Sequence, residues 1–309
     1  MRRPILVTGA IRSGTTWVGR MIAASPQVGY IHEPLNPWEK SKNRGICDAP
    51  IPFWYFYITR ENEAPYYQPI KRSLEFRYNL FKGLMGARSR ADVRRILREY
   101  QTFRANRANN ARPLVKDPFA LFSAEWFAER FGAEVVILIR HPAAFVSSVK
   151  RLGWGFPFWH LLRQPLLLRD HLRPFEEQIK EYAPEKHPYI DQAALVWKML
   201  YHVVLRYREK HEDWIFVRHE DLARDPMGGF RALFERLGLE FSPRVQDAVR
   251  RSTAASNPSE VPAERAFSIQ RDSRASIWTW KKRLTAAEIQ RIREATEEVA
   301  QAFYSDEDW

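Results

Sequence analysis

The chain of 309 residues has a single cysteine, Cys47, which excludes an internal disulfide framework and a cysteine-rich zinc site. No window approaches the run of about 18 apolar residues that a membrane-crossing helix needs. The stretch after Met1-Arg2-Arg3-Pro4 is too short for a signal-peptide core, so the sequence reads as soluble and cytoplasmic. Neither internal repeats nor a low-complexity linker divide it, and one domain over residues 1–309 is expected. Acidic residues are in deficit: 37 Asp and Glu stand against 49 Lys and Arg, a net charge of +12. That excess favours anionic partners, and its scatter along the chain argues against a nucleic-acid or heparin-like binder.

Short apolar runs recur between helical patterns. Strands are expected at Ile5–Val7, Val28–Ile31, Pro113–Val115, Glu134–Ile139 and Trp214–Val217. Helices are expected at Thr15–Ala24, Ala91–Phe103, Ala124–Arg130, Ala143–Arg151, Ala193–Lys210, Gly229–Leu237 and Ala286–Ala300. The alternation implies an α/β fold, a mostly parallel central sheet flanked by helices. Two aromatic stretches, residues 50–81 and 152–175, fit either acceptor-binding lids or core, and peripheral membrane contact through Trp154–Leu168 is a third reading.

One lysine is also missing. Thr8-Gly9-Ala10-Ile11-Arg12-Ser13-Gly14-Thr15-Thr16-Trp17 follows an apolar strand with Walker A glycine spacing, but Thr15 stands where the lysine belongs. A strand, a glycine-bounded turn and a helix start aim N–H groups at one point, which suits a phosphate. The missing lysine, and the lack of a clear Walker B aspartate, disfavour a Mg-ATP metabolite kinase. Arg140, in Ile139-Arg140-His141-Pro142, and Lys116, in Lys116-Asp117-Pro118, sit at two further strand ends, where ligands bind in open parallel sheets. Together these cations suggest one polyanionic pocket.

These motifs resemble the sulfotransferases that use 3′-phosphoadenosine 5′-phosphosulfate (PAPS), in their P-loop nucleotide-hydrolase-like fold. Arg-Ser-Gly-Thr-Thr-Trp looks like their 5′-phosphosulfate loop, and Arg140 with Ser148 like their 3′-phosphate element. Trp214–Pro226 resembles their strand and turn near the adenine. Arg271-Asp272-Ser273-Arg274 to Leu284-Thr285 is similar to the closing segment of bacterial and Golgi carbohydrate enzymes. The resemblance spans residues 4 to about 303.

The resemblance implies that Arg12, Ser13, Gly14, Thr15 and Thr16 hold the 5′ end, and Arg140 and Ser148 the 3′ phosphate of PAPS or its product PAP (adenosine 3′,5′-bisphosphate). It places Trp17 against the adenine and His219 near it. Arg12, standing where cytosolic members carry Lys, points to the tyrosylprotein and carbohydrate branches and would stabilise the leaving phosphate. Lys116 would assist the bridging oxygen, with Ser276 a weaker match to a serine of similar role. Glu33, in His32-Glu33-Pro34-Leu35, is the implied general base; strand alternation turns the rival His32 away from it. The Arg-Lys-Gly segment of the phenol and steroid enzymes is absent, and His219 replaces their Tyr. The implied reaction is metal-free, in-line sulfuryl transfer to a carbohydrate or glycolipid hydroxyl, with tyrosine or another small-molecule or lipid alcohol as the alternative acceptor.

Overall fold

The computed structural model describes residues 2–38, 44–184, 187–260 and 268–309. Five strands, β1 (Ile5–Gly9), β2 (Val28–His32), β3 (Arg112–Lys116), β4 (Glu134–Ile139) and β5 (Ile215–Arg218), are ordered β2-β3-β1-β4-β5. β3 pairs in parallel with both β1 and β2, with Val7 opposite Lys116 and His32 opposite the same residue. The α/β fold expected from the alternation is present, and each expected strand is found to within two residues. β1 and β3 are buried along their whole length; β1 opens on the apolar run Ile5-Leu6-Val7, whereas β3 buries a charged residue at each end, Arg112 and Lys116.

The chain divides into two compact units. One comprises residues 1–8 and 18–136, the other residues 9–17 and 137–309. In the first, helices Ala64–Leu74, Leu80–Met85, Arg90–Ala108 and Ala124–Phe131 accompany the strands. Ser89 caps the longest of these, its Oγ accepting from Asp92 N at 3.1 Å. Half of the ten aromatics of residues 50–81 are buried in the core. Trp54 and Tyr55 pack on Phe119, Phe56 packs on Tyr66, and all of them are buried. Phe81 is the outlier, standing in solvent.

In the second unit the helix Tyr189–Lys210 packs against the helices Pro142–Leu152 and Ala286–Ala300. A capping box starts the last of these: Thr285 Oγ1 accepts from Glu288 N, and Glu288 Oε2 from Thr285 N. The long helix also sets the end of β4. Trp197 Nε1 donates to Arg140 O at 2.8 Å, and Arg140 N donates to the Tyr201 hydroxyl at 3.0 Å. Phe158, Leu161 and Leu167 turn inward from residues 152–175, and Trp159 is exposed, so the Trp154–Leu168 run is part core and part surface. Among the described residues no helix is long and apolar enough to cross a membrane.

Candidate functional site

In the second unit the turn between β1 and the helix Thr15–Ile22 is built by its own polar groups. Ser13 N and Ser13 Oγ both donate to Ala10 O, at 3.2 and 2.6 Å. The Ser13 hydroxyl thus closes the loop and is itself buried. Gly9 has φ +144°, and a Cβ there would lie 2.5 Å from Leu138 O. Arg12 has φ +63° and Gly14 +98°, so with Gly9 three residues of the turn have positive φ. Strain of this kind on a non-glycine residue clusters at ligand sites. Thr15 and Thr16 open the helix, whose first N–H groups have no intrahelical acceptor.

Arginines gather around this loop. Arg12 Nε donates to Ser148 Oγ at 3.1 Å, and Arg140 Nη1 donates to Arg12 O at 2.7 Å. Arg140 and Ser148, eight residues apart across a turn, are thereby brought to the loop through Arg12. Burial, then the charges of Arg140, Arg271, Arg151 and Arg283, push Arg12 down to about 9. Burial and the same neighbours push Arg271 down to about 10. Cations so crowded that they resist their own charge form a well for an anion. Arg283 is paired with Glu260. Arg140 Nε is buried with no hydrogen-bond partner. An orphaned guanidinium N–H beside a loop of this kind fits an anionic ligand group.

His219 closes the loop from one side. A Cβ on Gly14 would lie 2.6 Å from His219 Nδ1, a buried atom that has no hydrogen-bond partner. Burial, with Arg140 and Arg271 nearby, holds its imidazole well below the ordinary histidine range and therefore neutral. Trp17 is buried, edge-to-face with His219 at 5.6 Å and Phe230 at 5.2 Å. Its Nε1 donates to Ser252 Oγ at 3.1 Å. Ser276 is buried in the short helix Ser273–Ser276, where its hydroxyl donates to Ser273 O at 2.7 Å.

The first unit carries a second cluster, at the ends of β2 and β3. Glu33 has φ +42° and donates its N–H to Lys116 O at 2.9 Å. Its Oε1 pairs with Lys116 Nζ, and its Oε2 accepts from Asn36 Nδ2 at 2.6 Å. Burial opposes ionisation of Glu33, but Lys116, with His32 and Asn36, outweighs it and holds the carboxyl below its ordinary range. Burial lowers Lys116 in turn, against the pull of Glu33. Asp117 is a scaffold. It accepts from Leu35 N at 2.6 Å and Phe119 N at 2.9 Å, fixing the chain just after Glu33. Burial and the Glu33 charge raise its carboxyl. His32 lies with Tyr30, two residues before it, their rings stacked.

Sequence reasoning missed the site contributions of Arg271, Arg151, Arg283 and Asn36. Arg271 opens the quoted closing segment, and Asn36 follows Glu33 by one turn's spacing. Nothing local marks Arg151 or Arg283.

The family model described as "Sulfotransferase family" matches residues 4–243. Carbohydrate sulfotransferase 1 of Danio rerio is 23% identical over 186 residues, covering 60% of this chain and 38% of that relative's own length. Carbohydrate sulfotransferase 5 of Homo sapiens is 23% identical over 330 aligned positions, covering 94% of this chain and 74% of its own length. Among solved structures, the sulfotransferase domain from the curacin biosynthetic pathway covers 99% of both chains at 17% identity and a TM-score of 0.50, a likeness of fold. With the family model running from the residue before β1 to the helix that begins at Pro243, this chain belongs to the sulfotransferase family.

Proposed function

We propose that the chain moves a sulfuryl group from PAPS to a hydroxyl of a carbohydrate or glycolipid, acting as one catalytic domain and using arginine charge in place of a metal. The observation that carries this reading is Arg12. It is held in the left-handed region, hydrogen-bonded to Ser148 and Arg140, and depressed to about 9 by burial and the arginines around it. A site that already strains against its own positive charge gains most from a ligand with several anionic groups.

PAPS supplies the activated sulfuryl group and, as its product, PAP. Arg140, Ser148 and Arg271 would hold its 3′ phosphate. The N–H groups at Gly14, Thr15 and Thr16, with Arg12, would hold its 5′ end. Trp17 and His219 would line the adenine side, Trp17 through its packing on His219. Arg12 would stabilise charge on the leaving phosphate. Glu33 would take the acceptor's proton, as a carboxylate that Lys116 and Asn36 keep ionised and fixed. In this reading Lys116 acts through Glu33, and Ser276 supports Arg271's segment through its bond to Ser273. The two carbohydrate sulfotransferases matched above support a sugar acceptor.

The test is incubation with sulfur-labelled PAPS and separate panels of oligosaccharide, glycolipid and phenolic acceptors, alongside calorimetric titration with PAP. Label on a glycan or glycolipid, undiminished by a chelator, is expected. Failure to bind PAP, with no label transferred, would refute the reading; label on phenols alone would move the acceptor to the tyrosine class.

A further inference from the structure

The first unit exposes apolar side chains on its two neighbouring helices Leu80–Met85 and Arg90–Ala108. Phe81 is 75% and Met85 65% exposed, with Leu84, Val93 and Leu97 also in solvent. This is a consequence of how the short helix sits. Its buried residue is Gly83, where a Cβ would come within 3.1 Å of the Tyr78 hydroxyl and 3.3 Å of Ile96 Cγ2. At about 3.6 residues per turn, Phe81 and Met85 project from the opposite side. Val93 and Leu97, one turn apart, are exposed on the longer helix, while its Ile96 and Phe103 face inward.

The same segment concentrates a basic excess that is elsewhere scattered along the chain. Residues 77–107 contain nine Lys and Arg against two acidic residues, Asp92 and Glu99. Several are already satisfied: Lys82 pairs with Asp48, Arg77 with Glu75, and Arg95 with Asp92 and Glu99. Arg88, Arg90, Arg94 and Arg98 are exposed and have no carboxylate partner among the described residues. Arg94 and Arg98 directly follow Val93 and Leu97, so a pair of charges flanks the apolar pair around the helix.

We propose that this pair of helices docks on an anionic lipid bilayer. Phe81 and Met85 enter the boundary between headgroups and acyl chains, and the four exposed arginines meet lipid phosphates. A dissolved polyanion would satisfy the arginines but leave Phe81 and Met85 in water. An uncharged apolar partner would leave the arginines without counter-charge. A bilayer with acidic headgroups takes up both.

Flotation of the full chain with phosphatidylcholine vesicles, with and without roughly 30 mol% phosphatidylglycerol, tests this. The protein is expected to float with the anionic vesicles, far less with the neutral ones, and to be released by high salt. Phe81→Ser with Met85→Ser, and separately Arg94→Glu with Arg98→Glu, should each cut the vesicle-bound fraction at least about tenfold with unchanged thermal melting. Absence of flotation, heparin binding without flotation, or wild-type flotation by the serine pair would each overturn the proposal.

Discussion

Arg12 Nε donates to Ser148 Oγ at 3.1 Å, joining residues 136 positions apart. The loop and the helix after β4, two separate anion elements in the sequence, are thereby joined through one guanidinium. Ser148→Ala removes an acceptor from a charged donor and should weaken PAP binding roughly tenfold. Arg12→Ala removes charge where the leaving phosphate would develop it and should lower kcat by about two to three orders of magnitude. Calorimetry with PAP and steady-state transfer rates separate the two effects; an Arg12→Ala enzyme slowed only through weaker binding would remove Arg12 from the chemistry.

Lys116 bonds to Glu33, and a base must be deprotonated to act. Because Lys116 holds Glu33 below the ordinary carboxylate range, transfer should stay level through neutral pH and fail only in acid, as Glu33 takes up a proton. Glu33→Gln should lower kcat by about two to four orders of magnitude while PAP still binds. Lys116→Ala should move the acid limb of the rate profile upward, because burial then acts on Glu33 without its cation. The same change should cost about 3–5 kcal/mol of stability for the stranded carboxylate. A profile unmoved by Lys116→Ala would show that the titrating base is another group.

Much of this was readable in the chain because local rules govern it. The β1 and β4 runs are apolar on consecutive residues, as buried parallel strands must be. The loop's glycines announce its turn, and Glu33 falls at a strand end by simple counting. Other features depend on distant partners. Trp17 reads as a base-stacking face, yet its indole is tied to Ser252, 235 residues on. Ser13 reads as a ligand hydroxyl, but it donates its hydrogen bond to Ala10 O. The helix Ala64–Leu74 went unseen beneath an aromatic block that contains Pro69, a residue that usually ends a helical reading. Arg271 joins the loop from a tail segment with no local signal of burial, and only folding sets its neighbours.

Gly14 meets two demands at once, φ +98° and the approach of His219 Nδ1 to 2.6 Å of a would-be Cβ. His219 has little room to retreat, since it is buried and packed on Trp17. Gly14→Ala should therefore cost on the order of 1–3 kcal/mol in stability and weaken PAP binding more than tenfold. Thermal melting and calorimetry read these separately. Unchanged PAP affinity would mean that the loop's shape is not what binds the nucleotide.

His141 follows Arg140 and is enclosed by Trp280, Tyr304 and Trp309, with ring centroids 5.1, 4.8 and 4.4 Å away. Burial, against the attraction of Asp308, pushes its imidazole down to about 3. Its value when unfolded is about 6.5, so between these limits the unfolded chain binds a proton that the native one refuses. Stability contributed by the neutral ring is therefore whole above the upper limit. It falls with pH by up to about 1.4 kcal/mol per unit until the lower one. The raised carboxyl of Asp117 acts in the opposite direction and the depressed His219 in the same direction, but both are common to wild type and variant. His141→Phe keeps an aromatic ring in the cage and removes the titration. Urea unfolding from neutral pH down to about 4 should show the variant gaining steadily on the wild type. Parallel stability curves would mean that the cage admits a charged imidazole.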